Sequence, residues 1–74
     1  MKLIQNSITI LPSGFGHNKI ICYDLDKEKY STVTSNTRLT DKYRSDDENE
    51  SDEAKKDLIE LVMDDNNIAD FEIV

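Results

Sequence analysis

The most reactive side chains of the sequence are one histidine, His17, and one cysteine, Cys22, five positions apart. A cysteine nucleophile needs a histidine base within hydrogen-bond reach and usually a third group that orients the base. His17 follows two glycines in a predicted loop, whereas Cys22 lies in a predicted strand and is expected to point into or beside the core. The sequence therefore favours a loop histidine and a buried, inert thiol, and we expect a protein that is not an enzyme.

The sequence contains only incomplete versions of the motifs that bind phosphate groups or metal ions. Gly14-Phe15-Gly16 supplies two glycines of a phosphate-binding loop, but the third glycine, the lysine–serine pair and the following helix are missing. Asp24, Asp26 and Glu28 alternate and five acids lie within residues 46–52, yet neither group has the glycine that a calcium loop needs. One cysteine and one histidine are too few for a zinc site. We expect neither a dedicated metal nor a cofactor.

The charged residues are distributed unequally along the chain, whose formal net charge is −7. Residues 1–45 hold seven bases and four acids, a net of +3, whereas residues 46–74 hold two bases and twelve acids, a net of −10. Dense carboxylates repel nucleic-acid phosphates, attract basic proteins and accelerate encounter with them. The alternative is that these charges only keep a small domain soluble.

The charge distribution predicts a regulatory or inhibitory protein that contacts a basic protein surface through its acidic C-terminal half. This hypothesis requires that folding gathers the carboxylates on one exposed surface, apart from the bases of the first half. The candidate contact residues are acids of a predicted loop and helix: Asp46, Asp47, Glu48, Glu50, Asp52, Glu53, Asp57 and Glu60.

Two alternatives place the function elsewhere in the chain. A three-stranded sheet followed by a helix is the topology of some nucleic-acid-binding modules, although fold alone is weak evidence of function. Its phosphate-binding candidates are the bases Lys19, Lys27, Lys29, Arg38 and Arg44. The second alternative is a structural subunit that forms homo-oligomers, such as a homodimer, through an edge strand at Phe71 to Val74.

The elements expected to position these residues begin with three strands. They are predicted at Lys2 to Leu11, Lys19 to Leu25 and Lys29 to Thr34. In the first, β-branched residues dominate and apolar side chains alternate with polar ones. In the second, Ile21, Tyr23 and Leu25 share one face, and Ile20 and Cys22 take the other. Turn-forming residues from Pro12 to Asn18 separate the first two strands, and Asp26 to Glu28 form a polar turn before the third.

Two helices are expected to follow. Ser35 or Asn36 can cap a short helix that contains Leu39 and Tyr43. Residues 45–53 hold six acids and no base, which predicts a solvated acidic loop. Ser51 would then cap a longer helix.

The longer helix has apolar residues at the i, i+4, i+7 and i+8 positions, which are Ala54, Leu58, Leu61 and Val62. Asp65, Asn66 and Asn67 are expected to end it, because asparagine tolerates the left-handed conformation found at helix ends. After it, Ala69, Phe71 and Ile73 alternate with acids, which predicts a fourth strand or a tail that lies across a partner.

This β-β-β-α-α-β order predicts an α+β fold, a small antiparallel sheet of three to four strands with one short and one longer helix packed on one face. The chain is 36% apolar and 34% charged, but its apolar residues form periodic runs, which favours folding. A chain of this size buries only about 60% of its unfolded surface, so we expect one domain, residues 1–74, that self-association would help to stabilise.

Cys22 is the only cysteine, so an intramolecular disulfide cannot form. This argues against a small disulfide-stapled secreted domain and favours a reducing cytoplasm. Polar residues interrupt the aliphatic residues between Met1 and Leu11, and no stretch there is long enough for a signal peptide or a membrane span. We therefore expect a cytoplasmic protein that does not contact a membrane.

Overall fold

The structure is a computed structural model that describes all 74 residues, Met1–Val74. The elements are β1 (Lys2–Leu3), β2 (Thr9–Gly14), β3 (His17–Tyr23), β4 (Lys29–Thr34), α1 (Thr37–Tyr43), α2 (Glu48–Asp65) and β5 (Glu72–Ile73). They confirm the α+β fold class, with a three-stranded antiparallel sheet of order β2-β3-β4, two helices and a separate two-stranded parallel pair, β1-β5. Neither helix combines the length and the apolar character needed to cross a membrane.

The first predicted strand is wrong in its middle. A 3-10 turn at Gln5–Ser7 divides it into β1 and β2. The Ser7 hydroxyl donates a hydrogen bond to the Ile4 carbonyl over 2.7 Å and accepts one from the Tyr23 N–H over 2.9 Å. A serine side chain that bonds nearby backbone groups competes with the sheet ladder, which accounts for the interruption.

The β2–β3 hairpin has a tighter turn than the sequence predicted. Its strands extend to Gly14 and from His17, so only Phe15 and Gly16 form the turn. Phe15 has φ 53° and Gly16 has φ 76°, the two left-handed residues that a type I′ hairpin turn requires. Phe15 is fully exposed at this tip.

The second predicted turn begins earlier than expected, because β3 ends at Tyr23 rather than at Leu25. Asp24 is 5% exposed, and its Oδ1 accepts hydrogen bonds from the backbone N–H groups of Asp26 and Glu28 over 2.9 and 3.0 Å. The buried carboxylate thus organises the turn. The following strand, β4, has the bounds that the sequence predicted.

The core lies between one face of the sheet, called the inner face below, and α2. The buried residues Ile20 and Cys22 of β3 belong to the same core cluster as Leu58 and Val62 of α2. Both helices contribute to this side, since Leu39 and Tyr43 of α1 also pack against the cluster. The predicted apolar face of the longer helix is correct at its centre, with Ile59 and Met63 as further buried members.

The two helices differ in how well their starts were predicted. Asn36 caps α1 as expected, and its side chain accepts a hydrogen bond from the Leu39 N–H over 3.2 Å. The predicted acidic loop at 45–53 is wrong over residues 48–53, because α2 begins at Glu48 with Asp47 as its N-cap. Ser51 is not the cap; it lies inside the helix and donates a hydrogen bond to the Tyr43 carbonyl over 2.8 Å.

The predicted last strand is confirmed only over two residues. β5 pairs in parallel with β1, with Lys2 opposite Glu72 and Leu3 opposite Ile73. Phe71 and Ile73 pack against the core, so this segment is part of the fold. The homo-oligomer alternative would use the segment Phe71 to Val74 as an edge strand, and one edge of this segment is already paired with β1.

Candidate protein-binding surface

The N-terminus of α2 is built by local hydrogen bonds of polar side chains. The Asp47 carboxylate accepts from the N–H groups of Asn49 and Glu50 over 2.9 and 3.4 Å. Ser45 accepts from the Asp47 N–H and donates to the Glu50 carboxylate, each over 3.1 Å. Acids in the first turn also interact favourably with the helix dipole. The same acids that suggested a loop therefore start a helix.

Five carboxylates of α2 form a single row, which we call the acidic stripe. They repeat at intervals of three and four residues, so they share one side of the helix. All five are exposed, and the buried residues of α2 lie on the opposite side. Fourteen residues of helix rise give the row a length of about 21 Å. The acidic stripe consists of Glu50, Glu53, Asp57, Glu60 and Asp64.

One base of the first half reaches the acidic stripe. The Lys42 ammonium of α1 lies 2.9 Å from the Glu53 carboxylate. This hydrogen bond raises the pKa of Lys42, and the negative charges of Glu53, Asp57 and Glu50 act in the same direction. The other ion pair, Lys55 with Asp52 at 3.4 Å, lies on a different side of α2 from the stripe. Four of the five stripe carboxylates therefore have no ion pair. The bases of residues 1–45 and the acids of residues 46–74 form a single ion pair with each other.

The eight acids predicted as contact residues do not all share this surface. Glu50, Glu53, Asp57 and Glu60 are members of the acidic stripe, whereas Asp52 lies on another side of the helix and is held by Lys55. The remaining three, Asp46, Asp47 and Glu48, are exposed at the helix start, where Asp47 acts as the N-cap.

Asp64 was missed, although its spacing of four residues from Glu60 places it on the same side of the helix.

The bases of the nucleic-acid alternative are divided between two layers. Lys19 and Lys29 lie on the sheet face that points away from the core, and Lys27 lies in the β3–β4 turn with φ 66°. Arg38 lies in α1 and Arg44 is the C-cap residue that follows it, and the apolar residues of α1 pack on the core side. The structure thus does not gather these five residues into one phosphate-binding surface.

An open depression of about 430 Å³ lies where β1 meets the β3–β4 turn. Its most buried polar group is the Asp24 carboxylate, which the turn N–H groups and the Tyr30 hydroxyl already bind. Burial, followed by a hydrogen bond to Glu28, raises the pKa of Tyr30 to about 12. The lining residues are Met1, Lys2, Asp24, Leu25, Asp26, Glu28 and Tyr30. The side chains of Asp24, Glu28 and Tyr30 form hydrogen bonds within the turn and the start of β4, and we assign no chemistry to the depression.

Cys22 and His17 are in different environments. Cys22 is fully buried in the core, as the strand pattern predicted, and burial raises its thiol pKa to about 11, with the Asp24 charge acting in the same direction. His17 is exposed at the start of β3. A protonated thiol inside the core is a poor nucleophile, because the thiolate is the reactive form.

Comparisons with protein-family models, with curated proteins and with solved structures found no match in any of the three.

Proposed function

We propose that this chain is a small regulatory or inhibitory protein of the cytoplasm that binds a basic surface of another protein through the acidic stripe. The proposal is supported chiefly by one observation: five exposed carboxylates in register along α2, with Lys42 as their only ion-pair partner. Such a row sets up a negative potential along one side of the molecule, which favours encounter with a positively charged partner and disfavours phosphate backbones.

The geometry also supports a rigid binding element. The acidic stripe lies on an 18-residue helix whose opposite side is anchored in the core by Leu58 and Val62. Carboxylates on a fixed helix are held at set distances before the partner arrives, so less conformational entropy is lost on binding than with a loop. A basic helix or strand with bases spaced over about 21 Å would match the length of the row.

The proposal is tested by removing charge from the acidic stripe without touching the helix cap. The triple variant Asp57→Asn, Glu60→Gln and Asp64→Asn is compared with the control Asp26→Asn, Asp41→Asn and Asp70→Asn, which removes three exposed carboxylates outside α2. Tagged proteins are used to capture partners from the native cell, and captured proteins are identified by mass spectrometry. We expect the stripe variant to capture at least tenfold less of a basic partner than the wild type and the control do.

Circular dichroism must show that both variants keep the wild-type helix content. Equal capture by the stripe variant and the control would contradict the proposal, as would a captured partner that lacks a basic surface. Binding of the partner should also weaken as NaCl is raised, because exposed charges more than about 8 Å apart are screened at physiological salt.

The nucleic-acid alternative keeps less support, since only Lys19 and Lys29 share the outer side of the sheet. Two phosphate contacts contribute little affinity at physiological salt. A mobility shift at low salt that disappears when Lys19, Lys27 and Lys29 become alanine would favour it over the acidic stripe.

A further inference from the structure

The sheet face that points away from α2, called the outer face, is apolar and basic. In the register of the sheet, Lys19 lies between Leu11 and Val33, and Tyr23 lies opposite Lys29. Leu11 and Val33 are 45% and 50% exposed, although both are large apolar residues. No acid occupies a position on this face of the three strands.

The two lysines of the outer face have no ionic partner within the chain. Neither Lys19 nor Lys29 takes part in the two ion pairs of the structure. The carboxylate next to Lys29 in the sequence, Glu28, accepts a hydrogen bond from the Tyr30 hydroxyl over 3.1 Å instead. The charges of the outer face are therefore free to meet an external acid.

The acidic stripe is complementary to the outer face in charge and in spacing. α2 covers the inner face of the sheet, so the stripe and the outer face lie on opposite sides of the molecule. Lys19 and Lys29 are four residue rows and one strand apart, roughly 14 Å. Ten residues of helix separate Glu50 from Glu60 by about 15 Å. The outer face could thus engage two stripe carboxylates at once.

We propose that the outer face of one copy of this chain binds the acidic stripe of a second copy, in a head-to-tail arrangement. Lys19 and Lys29 pair with stripe carboxylates, while Leu11 and Val33 are covered by the second copy. Because the two surfaces lie on opposite sides, the contact is heterologous, and each bound copy leaves one surface free for the next. Association therefore extends with concentration instead of stopping at a closed dimer.

The self-association does not rest on the basic partner proposed above, but it would regulate access to the same surface. A stripe that is bound to a second copy is withheld from a basic protein. A basic partner of higher affinity would release the chain from its oligomers as it binds.

Sedimentation equilibrium of the purified full chain tests the inference without any partner. We expect the average mass to exceed that of the monomer and to rise with protein concentration at 20 mM NaCl, then to return to the monomer at 500 mM NaCl, because ion pairs at this surface are screened by salt. A monomer at every concentration and salt would overturn the inference. So would a dimer that is unaffected by salt, which would point to an apolar or strand-edge contact.

Complementary charge reversals identify the two surfaces. Lys19→Glu with Lys29→Glu makes the outer face acidic, and Glu50→Lys with Glu60→Lys makes the acidic stripe partly basic. Each double variant alone should be monomeric at 20 mM NaCl, because its two surfaces then carry like charge where they meet. An equimolar mixture of the two should associate, because the reversed surfaces again attract each other.

The control Lys2→Glu with Lys27→Glu makes the same change in net charge at exposed positions that are not on the outer face. It should associate like the wild type, and circular dichroism checks that every variant is folded. Loss of association in this control equal to that of the outer-face variant would overturn the inference, since net charge alone would then explain it. A mixture that stays monomeric would also overturn it.

Discussion

At Cys22 the surroundings decide the chemistry of the side chain. The alternation of the sequence was enough to predict that Cys22 lies in the core, because strand residues two apart share a face. The raised thiol pKa could not be predicted in the same way, since it also depends on Asp24, whose carboxylate is held in the turn two residues later. Type and spacing therefore located the residue, and tertiary packing determined its protonation.

The raised pKa of Cys22 predicts a loss of stability in alkali. The unfolded chain deprotonates this thiol near its ordinary pKa of 9.0, whereas the folded chain does so only near 11, so the stabilisation is complete below pH 9 and is lost as pH rises towards 11. Between pH 8 and 10.5 the free energy of unfolding should fall by about 1 to 2 kcal/mol more in the wild type than in Cys22→Ala. Urea unfolding at the two pH values measures the difference. Tyr30 is present in both proteins, so its titration cancels in the comparison. An equal fall in the two would show that the thiol titrates normally.

At the level of the elements, predictions were reliable where the signal came from residues close together in the sequence. The sequence predicted β4 and the Asn36 cap of α1 correctly, because both depend on neighbouring residues. The pairing of β1 with β5 joins the two ends of the chain and has no local signal. The start of α2 was misjudged because Asp47 and Ser51 are both acceptable caps by type. In the structure the Asp47 carboxylate accepts from two helix N–H groups, whereas the Ser51 hydroxyl donates to the Tyr43 carbonyl.

The cap of α2 gives a prediction at this scale. Asp47→Ala removes the acceptor for two helix N–H groups and should lower the free energy of unfolding by about 1 kcal/mol. Asp46→Ala removes a neighbouring exposed charge outside the cap and should change it by less than about 0.5 kcal/mol. Asp47→Asn keeps the acceptor, so it should lie close to the wild type. Urea unfolding followed by circular dichroism compares the three variants, and equal effects of Asp46→Ala and Asp47→Ala would disprove the role of Asp47 as the cap.

For the whole molecule, the sequence predicted the imbalance of charge but not its arrangement. Counting acids placed them in the second half, whereas the acidic stripe depends on the helix starting at Glu48 and on the side that Leu58 and Val62 turn to the core. Asp52 and Glu53 are neighbours in sequence, yet only Glu53 lies on the stripe. The outer face was equally hidden, because the exposure of Leu11 and Val33 depends on which side of the sheet α2 covers.

The acidic stripe concentrates like charge, and this predicts where stability can be gained. Asp64 lies four residues from Glu60 and in the last turn of α2, where the helix dipole disfavours an acid and no base is present. Asp64→Asn should therefore raise the free energy of unfolding by about 0.5 kcal/mol at 20 mM NaCl, and the gain should shrink at 500 mM NaCl as the charges are screened. Glu53→Gln is the matched control, because it removes a stripe charge together with the Lys42 ion pair and should give no gain. Thermal and urea unfolding at both salt concentrations measure these differences. If Asp64→Asn destabilised the protein at low salt, the stripe carboxylates would have to be stabilised by contacts other than those described, and their availability to a basic partner or to the outer face of a second copy would be in doubt.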